Sequence, residues 1–464
     1  MTKNAQNPLR IGIIGGGFSG TALMAMLSKL AVAPIEIVLC EKSGRFGAGP
    51  AYSTPFKHHL LNVRAQDMSA FEDEPQHFVN WLRASPEKLL DLDKNQPVAE
   101  QFVPRCFYHD YLQDILSGLR SALPGHVALT MKSIDIVDAV TAENAVQLIG
   151  SQGDMVTVDK VILAMGNNPP SVFPFPVADD VCRIDNPWDY KAIERIAADD
   201  PVLIVGTGLS MIDAVLTLKA QNHKGPIHAL SRHGLLPLPH GEILPAEAFS
   251  AATVMAQARD GMRAFTRILR GAACSHMQKG GDWRTIVGGL RSHIPHVWRA
   301  APLAEKKRFL RHLLPYWNVH RHRVHTDIMD LLSSLVSAGQ LMIHAGRVLS
   351  VAKDKATIQL RHSTQQHDLA VRWVVNCMGP APQMRASHQP LLAAMLKREI
   401  ATLDELKLGL AVSAIGSLRD VSGRDSSRFY SVGALTRGES WEINAVPDIR
   451  RQIFDLSRHI LASE

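Results

Sequence analysis

The chain has 464 residues, roughly three times the ~150 of an ordinary domain, so it holds two or three domains or one core with large insertions. Apolar residues at 46% and charged residues at 20% exclude long disorder, collagen-like repeats and a coiled coil. Five scattered cysteines with no C-x-x-C pair exclude a disulfide framework and a cysteine-rich zinc site, and the net charge of +6 is too dilute to name a partner until it is located.

Residues 1–10 are polar, and the apolar stretch that follows is interrupted by Gly15, Gly16, Gly17 and Gly20, which is wrong for a signal h-region. Residues 22–40 carry Lys29, Pro34 and Glu36, whereas a spanning helix needs ~20 nearly uncharged residues. A cytoplasmic protein with no membrane partner is expected.

Arg10-Ile11-Gly12-Ile13-Ile14 has the composition of a buried parallel strand, Gly15-Gly16-Gly17-Phe18-Ser19-Gly20 that of a tight turn, and the residues from Thr21 to Leu27 that of a helix. Gly15 permits the turn, Gly17 lets backbone approach a pyrophosphate, and Gly20 lets helix lie on strand. The amides of Phe18 and Ser19 at the helix start would face the anion. A second strand, Ile35–Cys40, ends at Glu41 and Lys42, and Glu41 stands twenty-one residues after Gly20, where an acid would bind an adenosine ribose. A plain βα turn is the alternative, and the fingerprint alone does not separate NAD from FAD.

The move repeats. Pro201-Val202-Leu203-Ile204-Val205 leads into Gly206-Thr207-Gly208-Leu209-Ser210-Met211 and another apolar helix, with Met211 in the place of the third glycine. The strand after it ends in Ser231-Arg232-His233 with no acid. The Ser231 hydroxyl and Arg232 guanidinium suit a 2′-phosphate, favouring NADPH over NADH, and an exposed basic loop is the alternative. Residues 129–167 and 341–379 both read as short strands with turn-rich middles and a buried exit strand, closed by Gly166 and Gly379. The fold class is therefore α/β with two Rossmann-like dinucleotide-binding domains. Expected boundaries are 1–170 for the first part of an FAD domain, 199–345 for an NAD(P) domain with a helical insert at about 240–335, and 346–464 for the completion of the FAD domain. Such pairs occur where a flavin on one half accepts hydride from a nicotinamide on the other.

The glycine turn, Glu41, Phe46-Gly47-Ala48-Gly49-Pro50-Ala51-Tyr52, His59-Leu60-Leu61-Asn62-Val63-Arg64-Ala65 with Met68-Ser69, and Phe102-Val103-Pro104-Arg105 together resemble the bacterial YdhS-like FAD/NAD(P)-binding family. Tyr316-Trp317-Asn318-Val319-His320-Arg321-His322-Arg323 and Trp441-Glu442-Ile443-Asn444-Ala445-Val446-Pro447-Asp448-Ile449-Arg450 extend the likeness over nearly the whole chain. The resemblance implies FAD held by both chain ends, an inserted NAD(P) half, and a relation to flavin N-hydroxylating monooxygenases. It also implies urate as a candidate substrate, through a urate hydroxylase in the family.

No cysteine lies between Glu41 and Met68, which disfavours a dithiol reductase, and no Phe-x-Gly-x-x-x-His-x-x-x-Trp precedes the second turn, which disfavours a Baeyer–Villiger enzyme. Two readings remain: a hydroxylase consuming oxygen and a small polar substrate, or an NADPH dehydrogenase. A nucleotide or redox sensor is a third. Gly433 is followed by Ala434 where many flavoproteins have Asp, so Gly433, Glu442 and amides near Ala445 are expected to hold the flavin. His59, Arg64 and Arg105 are expected to bind an anionic substrate and handle a proton, and Asn62 and Met68 to pack the flavin.

Residues 259–323 hold fourteen Lys and Arg against Asp260, Asp282 and Glu305, an excess larger than that of the whole chain. Arg259, Arg263, Arg267 and Arg270 recur at helical spacing, with Met262, Phe265, Ile268 and Leu269 turned elsewhere. The expectation is a helical lid that is either simply solvated or steers anions. Nucleic acid is not an expected partner, because no recognition motif accompanies the charge.

Overall fold

A computed structural model describes residues 7–47, 49–241, 261–384 and 389–462. Ala48, Arg259 and Asp260, named above, lie outside the described residues. In chain order the elements used below are β1 (Leu9–Ile14), α1 (Phe18–Leu30), β2 (Ile35–Cys40), α2 (Arg105–Ser121), β3 (Val127–Lys132), β4 (Ile136–Thr141), β5 (Val146–Gly150), β6 (Met155–Val158) and β7 (Lys160–Leu163). There follow β8 (Cys182–Ile184), β9 (Val202–Val205), α3 (Leu209–Ala220), β10 (Ile227–Ser231), α4 (Met262–Gln278), α5 (Leu314–Arg321) and α6 (Thr326–Ser337). The chain continues through β11 (Leu341–Ala352), β12 (Lys355–Leu360), β13 (Gln366–Ala370), β14 (Trp373–Asn376), α7 (Pro390–Lys397), β15 (Ser417–Arg419), β16 (Asp425–Ser431) and α8 (Val446–Ala462). Among the described residues no helix is long and apolar enough to cross a membrane.

The chain divides into two compact units, the first made of residues 1–57, 63–168 and 382–464, the second of 58–62 and 169–381. In the first, six strands run in the order β15-β16-β7-β1-β2-β3, and β4-β5-β6 form a separate antiparallel meander. The central strands β1, β2 and β7 are parallel and, apart from Arg10, Glu36 and Lys160 near their starts, apolar because both faces are covered. Ile14, Val38, Val161 and Leu163 join one core with Leu148 and Val158 of the meander and Leu391 and Met395 of α7. Gly12 lets the meander come this close, since a Cβ there would sit 3.0 Å from Leu148 and 3.2 Å from Val158.

The second unit repeats the plan in one sheet, β13-β12-β11-β10-β9-β14-β8. Val202 and Ile204 face a core with Met211, Val215 and Leu218 of α3, while Leu203 and Val205 face one with Val348, Ala356 and Ile358. The two-residue alternation of a strand thus feeds two cores. The counterpart of the separate meander is continuous here: Leu341–Ala345 of β11 pair in parallel with β10, and from Gly346 the same strand pairs antiparallel with β12.

That continuity corrects the expected boundaries. Residues 346–381 belong to the second unit rather than to the returning FAD domain, because β12 and β13 hang from β11 and β14 inserts beside β9. The segment 171–198, left unassigned in the sequence, also belongs there together with residues 169 and 170, its strand β8 pairing with β14.

Candidate functional site

In the first unit the turn after β1 is built as its glycines imply. Gly15 has φ +108° and its N–H donates to the Cys40 carbonyl across 2.8 Å. A Cβ on it would drive into the Ala164 carbonyl oxygen, and one on Gly20 into that of Gly15. Gly17 is the N-cap of α1 with no capping side chain and no acid in the first turn, so the first amides of the helix, at Phe18 and Ser19, are left for an anion. The Glu41 carboxylate accepts the Gly16 N–H at 2.7 Å and, through its other oxygen, the Ser43 N–H at 3.0 Å and hydroxyl at 2.8 Å. Lys42 beside it is exposed, and Gly166 follows the exit strand at φ +74°.

The C-terminal segment reaches the same turn. Beyond β16, Gly433 (φ +72°) lies so close to the start of α1 that a Cβ would stand 3.1 Å from the Ser19 hydroxyl, and its N–H donates to Gln452 Oε1 at 2.8 Å. Helix α8 packs along α1, and its first turn begins with the Ala445 carbonyl accepting from Asp448 and Ile449, each at 3.1 Å. Glu442 is buried at φ +72°. Burial lowers the pKa of Arg437, which Glu442 partly offsets, and the Arg437 guanidinium lies 4.9 Å over the Trp441 ring.

Aromatic rings close over the helix start. Tyr52 and Tyr108 are 4.6 Å apart, and Phe18 is 6.4 Å from the first and 6.0 Å from the second. The Tyr108 ring is wholly buried and its hydroxyl has no hydrogen-bond partner among the described residues, a cost of about 1–3 kcal/mol. Tyr111, by contrast, is satisfied by His77 Nδ1 at 2.8 Å and the Ala70 N–H at 3.2 Å. Burial pushes the Tyr52 hydroxyl upward, and the charge of Arg105, first residue of α2, moderates this. Met68 is buried.

The expected catalytic trio is not assembled by either unit. His59 lies in the second unit and is wholly buried, its Nε2 3.1 Å from the Asp213 carbonyl and 3.0 Å from the Thr217 hydroxyl of α3, its ring 4.9 Å from Tyr190. It fastens the 58–62 segment to α3. Arg64 belongs to the first unit and is half-buried, donating to the Glu100 carbonyl at 2.6 Å and stacking 4.8 Å over Phe102. Asn62 is exposed, and its carbonyl lies 3.2 Å from His240 Nε2.

The second glycine turn copies the first. Gly206 has φ +115°, its N–H donates to the Leu230 carbonyl at 2.8 Å, and a Cβ on it would drive into the Cys377 carbonyl oxygen. Gly208 caps α3 with open space around it, Ser210 follows in the first turn, and Met211 takes the third-glycine place wholly buried. The Ser231 hydroxyl oxygen accepts the Gly234 N–H at 3.0 Å and lies 2.8 Å from the Thr207 hydroxyl, bracing the bend. Arg232 is exposed. Two groups that sequence reading missed stand beside it. Arg361 donates to His233 Nδ1 at 2.8 Å, and the Tyr316 ring lies 5.6 Å from that imidazole. Nothing near Arg361 in the sequence signals this, and Tyr316 stood out only as part of a family-like block.

In the basic insert Arg263, Arg267 and Arg270 are exposed along α4 while Met262 and Phe265 are buried, as the spacing implied. Ile268 departs from it at 40% exposure, since it follows Arg267 on the outer side of the helix. Asp282 is held by Arg284, and Glu305 by Arg308 and the Met262 N–H.

A family described as FAD-NAD(P)-binding matches residues 12–168, the span from β1 through β7. No curated protein matches in sequence. Among solved structures the chain is similar to the ornithine N-hydroxylase of Kutzneria sp. 744, at 13% identity over 98% of this chain and 100% of that one with a TM-score of 0.65. It is also similar to the L-lysine 6-monooxygenase of Pseudomonas syringae, at 14% identity over 97% and 98% with a TM-score of 0.63. A bacillithiol disulfide reductase of Staphylococcus aureus shares 12% identity over 99% and 100% with a TM-score of 0.57. What is shared at these identities is the fold.

Proposed function

We propose that this protein is an FAD-dependent, NADPH-oxidising monooxygenase that acts with oxygen on a small polar substrate. The observation that carries the reading is the duplicated turn: Gly15 and Gly206 share the same positive φ, the same bond to the end of the next strand, and the same contact with an exit-strand carbonyl. Such a turn is backbone that glycine adopts freely and other residues only under strain, and a merely structural βα connection does not need it twice.

The first unit fits FAD. The uncapped start of α1, with Gly15, Gly17, Phe18, Ser19 and Gly20, would take the pyrophosphate, and Glu41 and Lys42 the ribose. Gly166, Gly433, Glu442, Ala445 and Met68 would contact the flavin portion, and the Tyr108 hydroxyl, without a partner among the described residues, is a buried donor beside the helix start. The second unit fits NADPH, with Gly206, Gly208 and Ser210 at its pyrophosphate and Arg232 at its 2′-phosphate. When bound, FAD supplies hydride acceptance from NADPH and the transfer of one oxygen atom to substrate. Arg105 would hold an anionic substrate group. The buried Tyr108 and Phe18 and the half-buried Tyr52 would limit water around it, which strengthens each charge-assisted bond. Arg64, engaged with Glu100, shapes this region rather than meeting substrate.

The solved structures that share the fold include hydroxylases of ornithine, lysine and cadaverine, which supports amines as the first substrates to try. Urate rests on the sequence resemblance alone. The test is to purify the chain, reconstitute it with FAD, reduce it anaerobically with NADPH, and admit oxygen with ornithine, lysine, cadaverine or urate. A product heavier by one oxygen atom supports the proposal. Release of hydrogen peroxide alone with every compound points to the dehydrogenase reading, and a colourless protein that takes up no FAD ends both.

A further inference from the structure

The end of β10 gathers groups from three distant parts of the second unit. Ser231 closes the strand, and Arg232 and His233 follow in a bend whose residues 231–236 include no acid. Arg361, the first residue past β12, reaches the same bend, its guanidinium donating to His233 Nδ1 at 2.8 Å. Its own N–H donates to the Ala345 carbonyl at 2.7 Å, and Ala345 is the register partner of Ser231, so the sheet fixes where Arg361 stands. Tyr316 of α5 sets its ring 5.6 Å from His233 while remaining 43% exposed.

Two guanidiniums, one imidazole and one open aromatic face are the recognition chemistry of a phosphorylated nucleoside: planar forks for phosphate oxygens and a ring for a base. The location narrows this further, because in a βαβ dinucleotide site the ribose lies at the end of the strand after the glycine turn. Arg361 uses one of its five N–H donors on His233, which leaves the others for oxygen acceptors and holds the plane before a ligand arrives.

Building on the reading that the second unit takes NADPH, we propose that Arg361, positioned by Ala345 and His233, is the principal reader of the 2′-phosphate, with Arg232 as its second cation and Tyr316 as the wall for the adenine. Selectivity for NADPH over NADH then comes from the turn after β12 as much as from the bend after β10.

Calorimetric titration of the full chain with adenosine 2′,5′-bisphosphate and with 5′-AMP tests this without catalysis. Wild type should bind the bisphosphate at least about tenfold tighter than AMP. Arg361→Ala should remove about a tenfold factor or more from the bisphosphate and leave AMP within about twofold, Arg361→Lys should restore only part, and Tyr316→Leu should weaken both ligands alike. Unchanged melting temperatures confirm folding, as Arg361 is exposed. If Arg361→Ala binds the bisphosphate like wild type while Arg232→Ala does not, the assignment to Arg361 is overturned and the NADPH reading stands. If wild type does not prefer the bisphosphate, the NADPH reading fails and takes this one with it.

Discussion

The carboxylate of Glu41 accepts the Gly16 amide hydrogen across 2.7 Å, so the acid that closes β2 also clamps the turn that opens α1. A charge-assisted bond of this kind contributes about 1.5–3 kcal/mol. Glu41→Ala should lower the melting temperature of the apoprotein and weaken FAD binding about tenfold or more, read by fluorescence quenching on titration. Glu41→Gln, which keeps an acceptor without the charge, should fall between.

Gly206 and Gly208 separate backbone strain from ligand approach. Alanine at Gly206 meets both φ +115° and the Cys377 carbonyl, and should destabilise the second unit by about 1–3 kcal/mol. Alanine at Gly208 meets nothing, so chemical denaturation should be unchanged while NADPH-driven flavin reduction slows. Equal loss of stability in both variants would contradict this division.

Tyr108 carries a buried hydroxyl with no partner among the described residues. Tyr108→Phe should leave the apoprotein as stable as wild type or more so by about 1 kcal/mol, yet weaken FAD binding and shift the flavin absorption maxima. An unaltered flavin affinity would mean that the hydroxyl meets no part of the cofactor.

Arg10 binds Asp159 through its guanidinium at 2.6 Å and its N–H at 2.8 Å. Burial pushes the Asp159 pKa up, but the Arg10 hydrogen bonds and charge outweigh it and hold the carboxyl below its usual range. A carboxylate depressed in the folded state contributes stability above its unfolded value, and that stability is lost as pH falls through the folded one. Because the pair is partly exposed, its worth is about 1 kcal/mol. Asp159→Asn should cost that amount at pH 7 and flatten the stability profile below about pH 4, where the wild-type carboxyl protonates.

Burial, then Arg361 and Arg232, lower the His233 pKa from its ordinary 6.5, so the imidazole is neutral at pH 7. Its Nδ1 accepts from Arg361, so a proton there would break the bond that positions the guanidinium for a phosphate. Affinity for adenosine 2′,5′-bisphosphate should therefore fall as pH drops below about 6.5, and His233→Asn, whose amide oxygen accepts at any pH, should flatten this dependence. Calorimetry in buffers of different ionisation enthalpy reads the proton directly.

Much of the fold was legible because its signals are local. An all-apolar strand followed by glycines at fixed offsets and an apolar helix carries its conformation within about twenty residues, so β1, α1, β2 and their copies β9, α3 and β10 stand where the pattern put them. The short strands of 129–167 and 341–379 were equally visible in their alternation and turns. The domain boundary was not. One strand, β11, pairs with β10 through Leu341–Ala345 and with β12 from Gly346, and no residue type along it announces that the meander stays with the second sheet until residue 381.

The sequence by itself determined where phosphates can be cradled, since a positive φ and an uncapped helix start are properties of a few consecutive residues. Only the tertiary structure decided which side chains surround those cradles. It sank His59 against α3, tied Arg64 to Glu100, left the Tyr108 hydroxyl without a partner among the described residues, and carried Arg361 across 128 residues to His233. Burial and hydrogen-bond partnership are set by chain segments that meet only after folding.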